Sequence, residues 1–491
     1  MTGTLAPPAS PAPSPTPTPS PAPAPSGEIS TFGWDTAFAV RIANVNAAIA
    51  ARKMSPKSFS YADPTNPNVT CAGTFGDWQL VRGGDGDAVN VMLPVSNVTG
   101  VAPNGDSYSP YSWSSGSLTF TIRLHFFETT PGAKTQQLQV QPNAAGPSTP
   151  VVEYYAADES ILPSPPWAIY SIQAALTAWC TANLADFAYI FSVADINDEA
   201  DHGAWSFLKP SYVSYSYVDG YDDEDAFLGV LAMTNGRSPN NLQQVIDKRI
   251  VPAGVEGAFC ISRALMLADL VVPQLMAMWP NLQASDLTIG EQTIVLNADA
   301  TVELPVVIEQ GTPYTPVLKQ FSYTIEGPQI SIDAYTETDV QAGVTAWCRT
   351  TSYYSITKGT NSKGETTLAY VQIGTPVQSH GNIVAEWVKI TDAILALILA
   401  VALAVLAVVT GGAAAPVIVV LGALLVGAVG FSAEIAGLIA NNDAPAIDLL
   451  EDNIYAPMTW TDSKDLTVTA VTLDGSLQLA GSLGFGSGSA S

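Results

Sequence analysis

The chain has 491 residues and a formal net charge of −26, with only 18 Lys plus Arg. Nucleic acid is thereby excluded as a partner, since phosphates demand a local excess of cations, and charge-driven adhesion to anionic head groups is disfavoured for the same reason. Charged residues make up 13% of the sequence, so solubility leans on acidic loops and on Ser, Thr, Asn and Gly, and the length allows a large core.

Residues 1–28 are read as a disordered Pro-rich leader, stiff and polyproline-like, that cannot build a core. No basic region followed by an apolar core opens the chain, so synthesis as a cytoplasmic protein without a signal peptide is expected, with any release by a non-Sec route. The folded body is expected over residues 29–385. Phe38, Ile42, Val45 and Ile49 recur at helical spacing, with Asp35 or Thr36 as the cap. Two strands, from Phe75 to Val81 and from Ala88 to Pro94, flank the glycine-rich turn Gly83-Gly84-Asp85-Gly86. That turn lacks the Lys-Ser/Thr of a phosphate loop and the ligand spacing of a calcium loop. Ser117–Phe126 alternates as a half-buried strand and makes His125 a sheet-face residue.

A second helix is expected from Trp167 to Asp186, and a tyrosine-rich hairpin follows over Tyr212–Tyr217 and Phe227–Met233. The acidic tip Asp222-Asp223-Glu224-Asp225 is read as solvated. Asn240–Ile250 and Ile261–Met278 are expected to be helical, and Ser285–Ile373 to be antiparallel β. The strings Val340-Gln-Ala-Gly-Val-Thr-Ala-Trp-Cys348 and Ile172-Gln-Ala-Ala-Leu-Thr-Ala-Trp-Cys180 echo each other, by chance.

From Ala393 to Ala433 there is no Asp, Glu, Lys, Arg or His. Two apolar helices broken at Thr410-Gly411-Gly412 are expected, giving a helical hairpin over residues 386–440. At about 1.5 Å per residue, the run Ala393–Val409 spans roughly 26 Å, against about 30 Å for a bilayer core. Asp392, Glu434 and Asp443 crowd its flanks, which favours a hairpin covered by the protein's own fold over one that enters lipid. Residues 441–476 return to the body, with a strand over Leu466–Leu473, and 477–491 are expected as a flexible tail.

Cys71, Cys180, Cys260 and Cys348 are widely spaced and read as reduced, buried thiols. His125, His202 and His380 are equally scattered, so neither a metal site nor a cofactor is expected. No nucleophile, zinc, Walker or dinucleotide signature occurs, so the chain reads as a non-enzyme with no catalytic residue, and no ligand-binding residue is assigned.

Thr31-Phe-Gly-Trp34-Asp35-Thr-Ala-Phe-Ala-Val40, Phe75-Gly-Asp-Trp78-Gln-Leu with Gly83-Gly84, Phe207-Leu-Lys-Pro210 and Ile261-Ser-Arg-Ala-Leu265 resemble, in this order, the clostridial forty-seven-kilodalton accessory proteins of botulinum neurotoxin clusters. The resemblance implies the tubular lipid-binding (TULIP) superfamily: an α+β fold of long helices wrapped by twisted antiparallel sheets around an apolar seam. It implies packing and helix-start roles for Trp34 and Asp35. The function that follows is non-enzymatic binding of lipid or another apolar ligand in a toxin-accessory or insecticidal context. A membrane-inserting protein using the 393–431 hairpin and a scaffold for operon-encoded partners are the alternatives.

Overall fold

The computed structural model describes residues 27–141, 152–158, 161–187, 189–196, 208–220, 226–386, 388, 391–413 and 458–485. Strands dominate them. A 14-stranded sheet follows the path Pro210–Asp219, Ala226–Thr234, Thr36–Arg41, Gly257–Ile261, Ser476–Ser482, Thr467–Asp474, Val344–Thr360, Gln329–Gln341, Val317–Glu326, Thr293–Leu296 and Leu287–Ile289. A nine-stranded sheet is built on the long hairpin of Ala88–Asn104 and Ser107–Glu128. Every ladder between the named strands is antiparallel, and Gly257–Ile261 pairs on one side with the opening strand Thr36–Arg41 and on the other with the closing strand Ser476–Ser482, so both ends of the described chain enter one sheet.

This architecture corrects the expected α+β, TULIP-like fold. Among the described residues strand dominates helix, 52% against 16%, and no long helices are wrapped by the sheets. The physical reason is the abundance of Val, Ile, Thr and Tyr at alternating positions, as in Gln329–Gln341, whose residues alternate between half-buried and buried. Helices are accessory. Ala168–Ala182 covers the nine-stranded sheet, with the Trp179 ring tilted against Phe75 at 5.1 Å and edge-on to Phe59 at 6.3 Å.

Several local expectations change. Phe38 belongs to the strand Thr36–Arg41 and not to the helix, which begins at Ile42 and runs to Arg52; Ile42, Val45 and Ile49 do form its buried stripe. Asp35 caps nothing there, because its carboxylate accepts from the Thr234 N–H at 2.7 Å and from Arg237 Nε at 2.9 Å. Trp34 is buried as expected, its indole N–H donating to the Gln243 carbonyl at 2.9 Å. Residues 240–250 are turns, not helix: Asn240 and Asn241 have positive φ, and the carbonyls of Gln243, Gln244 and Arg249 accept from side chains of other elements. The segment after Ser262 is a helix of mixed kind, Arg263–Leu265, a π stretch Met266–Val271, then Val272–Met278. Pro273 stands in its last part and supplies no N–H to the turn before it.

Near the C-terminus the helix Asp392–Ala413, hereafter the apolar helix, passes through Thr410-Gly411-Gly412 where a break was expected. A glycine costs a helix only about 1 kcal/mol relative to alanine, which neighbouring apolar turns offset. The second half of the 386–440 hairpin lies outside the described residues. Ser476–Ser482, expected within a flexible tail, is a strand buried on both faces, with Leu477 and Leu479 fully enclosed. Glu28, assigned to the leader, is buried and ion-paired to Arg263 at 2.9 Å.

Candidate apolar interaction site

The apolar helix lies against the central strand Val344–Thr360, its neighbour Gln329–Gln341, the edge strand Val377–Val384 and the short strand Val307–Glu309. Along the central strand, even-numbered residues such as Ala346, Cys348 and Thr350 are buried, and the Cys348 thiol donates to the Ala402 carbonyl at 3.2 Å. One helix face is thus committed to the sheet: Ile398, Val401, Ala402 and Val405 are buried. The other face is not. Leu395, Leu399 and Leu403 follow at four-residue spacing and are 44%, 46% and 52% exposed. Beside the helix, Val306 and Ile308 are also exposed, on the opposite side of their strand from the buried Val307. No charged side chain interrupts the helix stripe.

Two recesses among the described residues are less suited to an apolar chain. Between the nine-stranded sheet and the Ala168–Ala182 helix, the gap lined by Val91, Phe120, Cys180, Leu184 and Phe187 measures about 10 Å³, one water at most. A larger recess of about 310 Å³ lies beside Phe38 and Trp460, with Ser463, Lys464 and Asp465 in its wall. Ligand cavities for drug-sized molecules run to roughly 300–1,000 Å³ and are mostly apolar, so this partly polar recess is a poor seat for an acyl chain.

The four cysteine thiols are held in their protonated form by burial. Burial pushes the thiols of Cys71 and Cys348 up to about 11 and that of Cys180 to about 12, and it raises Cys260 as well. Such thiols stay protonated and unreactive at neutral pH. His125 rests edge-on against Phe127 at 4.8 Å, and His380 lies on the edge strand of the other sheet. His202 and the acidic tip 222–225 fall outside the described residues. Among the described residues no group of three His, Cys, Asp or Glu side chains could hold a metal ion.

The glycine-rich turn has a packing role. A Cβ on Gly84 would lie 2.5 Å from the Ala88 carbonyl oxygen and 2.7 Å from the Tyr217 ring, so the turn is pressed onto the tyrosine strand. The Gly83 N–H donates to the Asp219 carboxylate at 3.1 Å. Sequence reasoning found the apolar helix but missed its division into a buried and an exposed face. A helix apolar on every side carries no periodic signal of which side meets the sheet. Among the described residues no helix is long and apolar enough to cross a membrane.

A family model described as OrfX-like, protein OrfX2/OrfX3/P47, matches residues 31–481. The chain belongs to the OrfX2/OrfX3/P47 family, which comprises proteins of botulinum neurotoxin clusters. It is 31% identical to the protein OrfX3 of Paraclostridium bifermentans over 497 aligned positions, covering 93% of this chain and 99% of the relative. It is 27% identical to the protein OrfX3 of Clostridium botulinum (strain Kyoto / Type A2), again over 93% and 99%. Solved structures of P47 from C. botulinum A2 and E1 superpose with TM-scores of 0.63 and 0.62 at 17% and 16% identity, covering 93% and 92% of this chain and 99% and 100% of theirs. The fold is therefore shared with P47 along nearly its whole length.

Proposed function

We propose that this neurotoxin-cluster family member acts without covalent chemistry and binds lipid or another long apolar molecule on the exposed face of the apolar helix. The observation that carries the reading is the stripe of Leu395, Leu399 and Leu403, left half-exposed on a helix whose adjoining face is docked. Each such leucine leaves about 1 kcal/mol of apolar burial unrealised, and a bound acyl chain gains about 0.8 kcal/mol per methylene that it buries. The absence of charge along the stripe and the chain's net charge of −26 favour an uncharged tail over an anionic head group as the recognised part.

Uptake of a fluorescent fatty acid by the purified full chain, with mass spectrometry of a solvent extract, tests this. Saturable uptake, displaced by unlabelled fatty acid, is expected. No uptake together with a lipid-free extract would overturn the reading.

A further inference from the structure

The large sheet has a second face, built differently from the one under the apolar helix. The bond from the Cys348 thiol to Ala402 puts the even-numbered residues of Val344–Thr360 on the helix side. Alternation then sets Thr345, Trp347, Arg349 and Thr351 on the other side. The ladders align them in rows: Trp347 lies between Glu337 and Gly381, Arg349 between Tyr335 and Ser379, and Thr345 between Asp339 and Ile383. Residues facing this way are half-buried or exposed, and the Arg349 side chain is 51% exposed, so the face meets solvent.

Trp347 is held on this face as a flat plate. A Cβ on Gly381 would lie 2.8 Å from Cε2, Cζ2 and Nε1 of the indole alike, so the ring lies broadside over the glycine and turns its other face away from the sheet. Tyr335 stands beside it, with ring centroids 6.0 Å apart and planes inclined by 35°. The Tyr335 hydroxyl donates to the Glu337 carboxylate at 3.0 Å. Charge around the plate does not balance. Arg349 is committed to Asp333, its Nε and Nη2 donating at 3.1 and 2.8 Å. Asp339 accepts from the Thr345 hydroxyl at 2.7 Å, and among the described residues neither Glu337 nor Asp339 forms an ion pair. Two aromatic rings and two uncompensated carboxylates meet at one place without a cation.

We infer that this face binds a small organic cation carrying a quaternary ammonium group, seated on the outer face of Trp347 beside Tyr335, with Glu337 and Asp339 supplying the opposite charge. Tryptophan is the aromatic ring that attracts a cation most strongly. A primary ammonium is a compact, strongly hydrated charge and loses more water on reaching a half-buried ring. Methyl groups around nitrogen spread the charge and add apolar contact with the indole. The net charge of −26 draws cations towards the molecule, which favours this occupant over an anion. The site lies on the side of the sheet away from the apolar helix, so it does not depend on lipid binding there.

Calorimetric titration of the full-length chain with choline tests the inference, beside neohexanol, the uncharged isostere in which carbon replaces nitrogen. Saturable binding of choline and none of neohexanol is expected. Trp347→Leu is expected to abolish choline binding, and Glu337→Gln, which still accepts from Tyr335, to weaken it about five-fold, as the loss of one charge near the surface implies. Far-UV circular dichroism checks the fold of both variants. Should Trp347→Leu not fold, the choline–neohexanol comparison and Glu337→Gln still decide. No saturable choline binding, equal binding of neohexanol, or choline binding unchanged by Glu337→Gln or by a folded Trp347→Leu overturns the inference.

Discussion

The Cys348 thiol lies 3.2 Å from the carbonyl oxygen of Ala402, and this contact fixes which face of the apolar helix meets the central strand. Around this contact Ile398, Val401, Ala402 and Val405 are enclosed, while Leu395, Leu399 and Leu403 on the adjoining side meet solvent.

Neighbouring residues on this helix should therefore respond oppositely. Ile398→Ala removes a side chain that is 4% exposed and is expected to cost about 3 kcal/mol, the usual range for such a truncation being about 2–5 kcal/mol. Leu399→Ala, at a position 46% exposed, should stay within about 0.5 kcal/mol of wild type. Urea unfolding of both variants checks this, and equal losses would show the helix to be docked otherwise.

Asp35 ties the opening strand to the hairpin beyond it. It accepts from the Thr234 N–H and from Arg237, which also bonds Asp269 at 2.7 Å. Asp35→Asn leaves a buried site short of its charge and is expected to cost about 3 kcal/mol. Asp269→Asn, at the more exposed end, should cost under about 1 kcal/mol. Denaturant midpoints of the two variants distinguish them.

The carboxyl of Asp474 is held above the usual carboxylate range by burial and by the nearby Glu28 and Asp247, against the pull of Arg249. A folded-state value above the unfolded one means that the folded chain holds the proton more tightly. Asp474 therefore costs stability at neutral pH, and the cost disappears as pH falls through its folded value. Asp247 is shifted the other way, held low by its bonds to Arg249 and the Ser30 N–H despite burial, so its contribution is present at neutral pH and lost in acid. Asp474→Asn is expected to raise the melting temperature at pH 7 and to converge with wild type near pH 4. A lower melting temperature at pH 7 would contradict this.

Gly84→Ala places a Cβ against the Ala88 carbonyl and the Tyr217 ring, with a cost of about 1–3 kcal/mol expected from the forced shift. Thermal melts with tyrosine fluorescence would show it, and an unchanged melt would mean that the turn is not pressed onto Tyr217.

What the sequence showed depended on scale. Alternation over Ser117–Phe126 and Ser285–Ile373 identified strands because one face of each is buried. Propensity failed where context overruled it. Gln-Ala-Ala-Leu-Thr-Ala-Trp-Cys is helix up to Cys180, whereas Gln-Ala-Gly-Val-Thr-Ala-Trp-Cys is a turn and strand up to Cys348, where Gly343 takes φ +74°. Phe38 matched a helical stripe yet pairs within a sheet between Val230 and Phe259, and Leu477 in the supposed tail pairs on one side with Ile261; local pattern carries no trace of such distant partners. The apolar helix was legible as an element, but its exposed leucines became visible only once Ile398 and Val401 were seen against the sheet.

The most direct test of the central claim is fatty-acid uptake by the Leu399→Asp/Leu403→Asp variant beside wild type, with far-UV circular dichroism confirming that both are folded. Two carboxylates on the exposed stripe are expected to abolish saturable uptake while leaving the fold intact. Uptake equal to wild type in the folded variant would contradict the account.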